Sequence, residues 1–182
     1  MKILLDNFIF DLKYAGGISK VWYNLLKGIQ KCSKCEITIV ESENLNNLFR
    51  QDLDTDQFKL ITERKCYLNL RKFKKIKNED SDIYHSSYFR PLKGKNNTKV
   101  IVTVHDFIYE KYAQRLPRLI HVYLKNRALK QADAVICVSG HTREDFCKYY
   151  PKFNRKNVYV VYNGVDECFK PLSVEECALT SE

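Results

Sequence analysis

Along this chain, short apolar runs alternate with longer stretches whose apolar positions recur every three or four residues. The runs are Ile3-Leu4-Leu5, 36–40, 58–61, 82–85, 100–104, 134–138 and 158–161. Each is short, rich in β-branched residues and closed by polar or turn-forming residues, as strands are. The segment Val100-Ile-Val-Thr-Val-His-Asp106 is the sharpest of them. Its continuous apolar character predicts a strand inside a parallel sheet, with His105 and Asp106 at its carboxyl end. Open α/β sheets bind ligands at that edge, so His105 is the first candidate for chemistry. A strand-end His-Asp pair engaged only in turn and capping bonds is the plainer reading.

The intervening stretches read as helices. Ile18, Val21, Trp22, Leu25, Leu26 and Ile29 fall on one stripe, which predicts a helix directly after Gly16-Gly17. Gly28 lies within that stripe at a cost of about 1 kcal/mol. A short helix is expected near 45–50. From Arg64 to Lys77 the chain packs seven Lys or Arg residues around Leu70, Phe73 and Ile76, the pattern of a basic amphipathic helix. Tyr109 to Leu116 reads as a loop, and 119–130 as a helix with Pro117 in its first turn. Thr142-Arg-Glu-Asp145 has capping-box spacing and predicts a helix that runs to Pro151. Strands alternating with helices imply an α/β fold with a doubly wound, mostly parallel sheet.

Strand, glycine pair and helix together turn backbone N–H groups and a positive helix end toward an anion. Gly16-Gly17 follows neither the dinucleotide fingerprint nor the phosphate-loop pattern, so a dinucleotide or a P-loop nucleotide is not indicated. Ser86 and its neighbours after the 82–85 strand supply hydroxyls for a polar ligand or for turns. Tyr84, Tyr88, Tyr109 and Tyr112 suit carbohydrate stacking, and equally suit packing.

Composition narrows the field. The chain has 182 residues, 45% of them hydrophobic and 29% charged, which is enough for one ordinary domain with its own core. A formal net charge of +9 favours anionic partners without choosing among phosphorylated substrates, an anionic membrane surface and nucleic acid. The seven cysteines are odd in number and scattered, and Asp6 interrupts the first apolar run before a signal-peptide core can form. Reduced thiols and a cytoplasmic location are therefore expected, with peripheral contact at the inner face of a membrane as an option through the 64–77 stretch. Cys32-Ser-Lys-Cys35 has no second pair to complete a zinc site, and no metal is expected.

In the second half, Val102-Thr-Val-His-Asp106, Ala132-Asp-Ala-Val-Ile-Cys-Val-Ser139, Thr142-Arg-Glu-Asp-Phe146 and Val160-Val-Tyr-Asn-Gly-Val-Asp166 follow one another at characteristic spacing. With Gly16-Gly-Ile18, they resemble the N-terminal half of a family 4 glycosyltransferase. That resemblance implies a Rossmann-like domain over residues 1–171, one half of a GT-B fold, with 172–182 beginning a linker or tail. It implies retaining transfer from a nucleotide-sugar to a glycan or lipid-linked acceptor, as in polysaccharide biosynthesis, with no metal or other cofactor. Gly16 and Gly17 would lie near the donor pyrophosphate, and His105 would reach into the cleft with Asp106 positioning the loop or acceptor. Ser86, Ser139, Thr142 and Arg143 would face the cleft, and Asn163 and Asp166 would sit at the crossing to a second Rossmann-like domain or subunit. Tyr162 stands where the family usually has proline, and Gly140 and His141 replace a common acidic and aromatic pair.

The family's second half, which carries its basic phosphate clamp, is not recognised in the 182 residues. A glycine turn and helix end contribute up to about 2 kcal/mol toward an anion, whereas micromolar affinity takes about 8 kcal/mol. The expectation is that the chain alone is inactive or nearly so. The alternative is a non-catalytic module that binds an anionic polymer or nucleic acid through its basic surface, although Tyr67 and Phe73 make a thin stacking platform and nucleic acid is not expected.

Overall fold

Each apolar run becomes a strand, and the connections between them decide where the functional edge lies. The computed structural model describes residues 1–12, 14–31, 34–43, 45–64, 67–77, 80–165 and 169. Asp166, Cys32 and the linker expected over 172–182 lie outside the described residues. In chain order the strands are β1 (Lys2–Asp6), β2 (Glu36–Ser42), β3 (Lys59–Glu63), β4 (Ile76–Lys77), β5 (Ile83–Ser86), β6 (Leu92–Lys93), β7 (Lys99–Val104), β8 (Ala134–Cys137) and β9 (Val158–Val160). The helices are α1 (Gly17–Gln30), α2 (Leu48–Gln51), α3 (Ile108–Lys111), α4 (Arg115–Leu129) and α5 (Gly140–Tyr149).

Seven strands form one sheet in the order β3-β2-β1-β5-β7-β8-β9, and every pairing in it is parallel. β4 and β6 form a separate two-stranded ladder. The chain builds outward from β1 to β3, returns to place β5 beside β1, and continues the other way. The fold is a Rossmann-like, doubly wound α/β sheet, and its order reverses between β1 and β5. Crevices form at the carboxyl end of such a reversal.

Two apolar cores separate on the two sheet faces. Leu5, Ile37 and Ile39 face Trp22, Tyr23 and Leu26 of α1. Leu4, Val100, Val102, Val104 and Val135 face Leu124 and Ala128 of α4 and Phe146 of α5. The stripe expected on α1 is therefore its buried side. In β7 the alternation is uneven: Val100, Val102 and Val104 are buried, whereas Ile101 and Thr103 are half-buried. α1 covers the β2-β1-β5 side of its face and leaves part of β7 open.

The 64–77 stretch departs most from expectation. It is not one amphipathic helix. A 3₁₀ turn spans Tyr67–Phe73 and the two-residue β4 follows. Leu70 is exposed, and Arg71, read as part of a charged face, is 1% exposed. The cause is a buried ion cluster that local periodicity cannot reveal. Arg71 pairs with Asp11 and, at 2.5 Å, with Glu63. Arg90 pairs with Asp6 at 2.7 Å and with Glu63 at 2.9 Å. Both guanidinium groups lie 5.8 Å from the Phe8 ring centroid. Burial lifts the Asp6 carboxyl above its usual range despite Arg90 and Arg71. At Glu63 burial also pushes upward, but bonding and charge from the two arginines outweigh it and hold the carboxyl below its usual range.

Two helix boundaries also move. The 109–116 loop contains α3, and α4 begins at Arg115 rather than 119, with Pro117 inside its first turn. The N-cap of α5 stands three residues before the expected Thr142, at Ser139, whose Oγ accepts from Thr142 N at 3.1 Å.

Removing one arginine would strand a buried carboxylate, a loss of about 3–5 kcal/mol. Arg90→Met should lower the unfolding free energy by that amount in urea titrations. Adding Asp6→Leu should recover a substantial part of the loss, which a double-mutant cycle would read directly.

Candidate active site

At the reversal, three segments meet: the start of α1, the 87–91 loop after β5, and the end of β7. Ile18, Ser87, Tyr88, Phe89, Thr103, His105, Asp106 and His121 line one small depression. α1 is fixed there by a buried polar chain. Trp22 Nε1 donates to Asn7 Oδ1 at 2.7 Å, Asn7 Nδ2 donates to Glu41 at 3.1 Å, and Arg50 grips Glu41 with two bonds of 2.8 Å. Gly16 is the N-cap of α1, with no side chain capping the first turn. Gly16 and Gly17 are exposed, and a Cβ at either would meet nothing within 4 Å. The backbone there leaves room for a ligand and presents a positive helix end.

His105 is half-buried at the end of β7. Burial pulls its imidazole below the ordinary value while Asp106 pulls the other way, so the net effect favours the neutral form. Its carbonyl accepts from Thr142 Oγ1 at 3.3 Å, which ties the strand end to the first turn of α5. Asp106 Oδ1 accepts from Ile108 N at 3.0 Å, and its carbonyl accepts from Lys125 Nζ at 3.1 Å.

The remaining candidates divide. Ser86 is committed to structure: its Oγ donates to Asp6 Oδ2 at 2.8 Å and also bonds the Tyr88 backbone. The neighbouring Ser87 lines the depression, and its Oγ accepts from Ile9 N at 2.8 Å. Ser139 caps α5 and Thr142 is buried behind His105, while Arg143 and Asn163 are exposed away from the depression's lining. Of the four tyrosines, Tyr88 lines the depression. Tyr109 lines the adjoining hollow, together with Leu116, Pro117, Ile120 and His121. Tyr112 faces outward, and Tyr84 is buried with its hydroxyl on the Arg90 carbonyl at 2.8 Å.

The Glycosyltransferase Family 4 model matches residues 15–168. The chain belongs to glycosyltransferase family 4. No curated protein sequence matches. Among solved structures, the chain resembles that of Arabidopsis thaliana UGT89C1 complexed with UDP, at 10% identity and a TM-score of 0.52. The likeness covers 91% of this chain and 49% of that one, so the chain spans about half the length of that structure. At that identity it bears on the fold alone.

Three groups in this family 4 domain escaped the sequence reading. His85 lies beneath His105, its Nε2 2.9 Å from Thr103 Oγ1 and its ring edge-on to Trp22 at 5.1 Å. Burial, with a smaller push from His105, lowers it to about 4. His121 stacks on Tyr109 with centroids 4.1 Å apart. Burial and then Lys125 lower it to about 4 as well. Lys125 is fully buried, 2.6 Å from Glu110 Oε1 and over the Phe107 ring at 4.3 Å. The sequence did carry a signal for the last two. His121 and Lys125 share the inward face of α4 with Leu124 and Ala128, where apolar residues are the rule. Among the described residues, no cluster of three His, Cys, Asp or Glu side chains is arranged to hold a metal.

The two depressed histidines set a pH dependence. Their folded values lie near 4 and the unfolded value near 6.5, so between these the unfolded chain binds more protons. Stability is complete above pH 6.5 and is lost as pH falls toward 4. From pH 7 to pH 5, His85 alone should cost about 2 kcal/mol. Urea titrations at the two pH values would measure this, and His85→Gln should flatten the dependence.

Proposed function

We propose that this chain is the acceptor-side domain of a retaining, metal-independent hexosyltransferase. It would work with a second Rossmann-like domain or subunit that holds most of a nucleotide-sugar. The observation that carries the reading is the meeting of His105, Asp106 and the α1 start in one crevice at the carboxyl edge of the sheet. In this reading the uncapped first turn of α1 at Gly16-Gly17 faces the donor diphosphate. His105, neutral and held by the β7 end, contacts the transferred sugar or the acceptor hydroxyl, and Asp106 positions its loop.

The hollow beside the crevice, lined by Tyr88, Tyr109, Leu116, Pro117, Ile120, His121 and Lys72, supports an acceptor with aromatic-stacking and apolar parts, such as a lipid-linked glycan. Val161, Tyr162, Val165 and Phe169 are exposed after β9, apolar positions that suit docking of the second domain near Asn163. The alternative of an anionic-polymer module built on residues 64–77 is weakened, because Arg71 is buried and Phe73 is packed against the core. Among the described residues no helix is long and apolar enough to cross a membrane. We place the domain in the cytoplasm, where nucleotide-sugars are made.

The test is transfer from radiolabelled nucleotide-sugars. The isolated 182-residue chain should show no ordinary turnover, because half a cleft neither binds the donor at micromolar affinity nor excludes water. The complex of these residues with the second Rossmann-like domain or subunit, purified from its own cells, should transfer with retention, undiminished by EDTA. In that complex His105→Ala should lower kcat/KM at least about 100-fold while the fold is kept. Full activity of the His105→Ala complex would refute the role given to that ring.

A further inference from the structure

Exposed large hydrophobic residues concentrate around the start of α4. Ile108 is 56% exposed, Tyr112 76%, Leu116 64%, Leu119 66% and Tyr123 54%. Within α4, Leu116, Leu119 and Tyr123 recur at i, i+3 and i+7, so they form one stripe. That stripe lies on the side away from His121, Leu124 and Ala128, which pack inward. A helix that merely covers a sheet has no use for a second apolar face.

The charges at the same place are equally unusual. The first turn of α4 contains no acidic residue, and Arg115 and Arg118 stand there instead. Cations oppose the positive end of the helix dipole, so this arrangement costs helix stability and concentrates positive potential. Arg115 also holds a left-handed backbone angle, φ 55°. Among the described residues, neither Arg115 nor Arg118 has a carboxylate partner. An anionic surface would offset both costs.

We infer that the α3–α4 face docks on an anionic lipid bilayer. Apolar side chains on a helix lying in the interface plane enter the boundary between headgroups and acyl chains, and arginines beside them meet phosphates. Nucleic acid would match the arginines but not the leucines. A protein partner would match the leucines but would leave two arginines at a helix N-terminus to be neutralised separately. The position has a consequence for access: Leu116 also borders the hollow that shares Tyr88 and His121 with the His105 crevice. Docking brings the bilayer surface to the mouth of that crevice. The inference rests on the surface alone and stands or falls independently of sugar transfer.

The full 182-residue chain is sedimented with vesicles of phosphatidylcholine containing about one-third phosphatidylglycerol, and with pure phosphatidylcholine vesicles, at physiological salt. Binding to the anionic vesicles and weak binding to the neutral ones is expected. The double variant Arg115→Gln/Arg118→Gln should lower partitioning about 30-fold. Leu116→Ser/Leu119→Ser should lower it at least about 10-fold with an unchanged circular dichroism spectrum. A charge-matched control at the far end of α1, Lys31→Gln/Lys34→Gln, should change it less than about threefold. Absence of binding to anionic vesicles overturns the inference. So does equal binding by the α4 variants and wild type, or an equal loss in the lysine control, which would mean general attraction by net charge. A wild-type dimer that becomes a monomer in the leucine variant, without vesicle binding, would assign the face to a second copy of the chain instead.

Discussion

The buried cluster of two arginines and three carboxylates is the constraint on which the β3-β2-β1-β5 half of the sheet and the candidate site at its carboxyl edge depend. Asp6 closes β1, Glu63 closes β3, and Arg90 belongs to the loop after β5. The Asp6 and Glu63 carboxylates, which would otherwise repel one another, are thereby tied to the 3₁₀ turns at Phe8–Asp11 and Tyr67–Phe73. Such a cluster contributes little net stability relative to apolar packing of the same volume, because its desolvation is costly. What it supplies is geometry. The guanidinium forks accept only one arrangement of their partners, and that arrangement sets the path of the 87–91 loop, where Ser87 and Tyr88 enter the crevice.

A second set of buried polar groups does the same on the other side. Lys125 reaches from α4 to Glu110 on α3 and to the Asp106 carbonyl, so one ammonium connects both helices to the strand end. Burial lowers the Lys125 ammonium, with Glu110 acting against that shift. Thr142 holds the His105 carbonyl from α5. The backbone of the His105-Asp106 pair is thus held from two directions, while the His105 ring lines the depression. The crevice floor combines the His105 imidazole with the small hydroxyls of Ser87 and Thr103. Such an arrangement suits orienting a sugar better than transferring protons across a wide pH range.

Much of this architecture was legible in the chain. The alternation of short β-branched runs with helical stripes implied the doubly wound sheet, and the seven strands of that sheet fall on the seven apolar runs. The polar ends of those runs placed His105 and Asp106 at the carboxyl edge, because in a parallel sheet that edge follows from strand direction alone. The motifs after residue 100 carried the family. Charged residues were the weak point. Seven cations around three apolar positions from Arg64 to Lys77 have the spacing of an amphipathic helix, yet Arg71 points inward. Periodicity reports which face a local segment would bury if apolar groups alone decided. It carries no information about a carboxylate sixty residues earlier.

The sequence by itself therefore determined the strand-helix order, the parallel sheet, the strand edge that carries His105 and Asp106, and the family, since each rests on local pattern and chain direction. Only the tertiary structure decided which polar groups serve that edge. Ser86 is spent on Asp6 and the Tyr88 backbone, His85 is placed under His105, and the outward stripe of Leu116, Leu119 and Tyr123 is left uncovered. Hydrogen bonds, burial and exposure depend on residues brought together from distant parts of the chain, and no local period encodes those meetings.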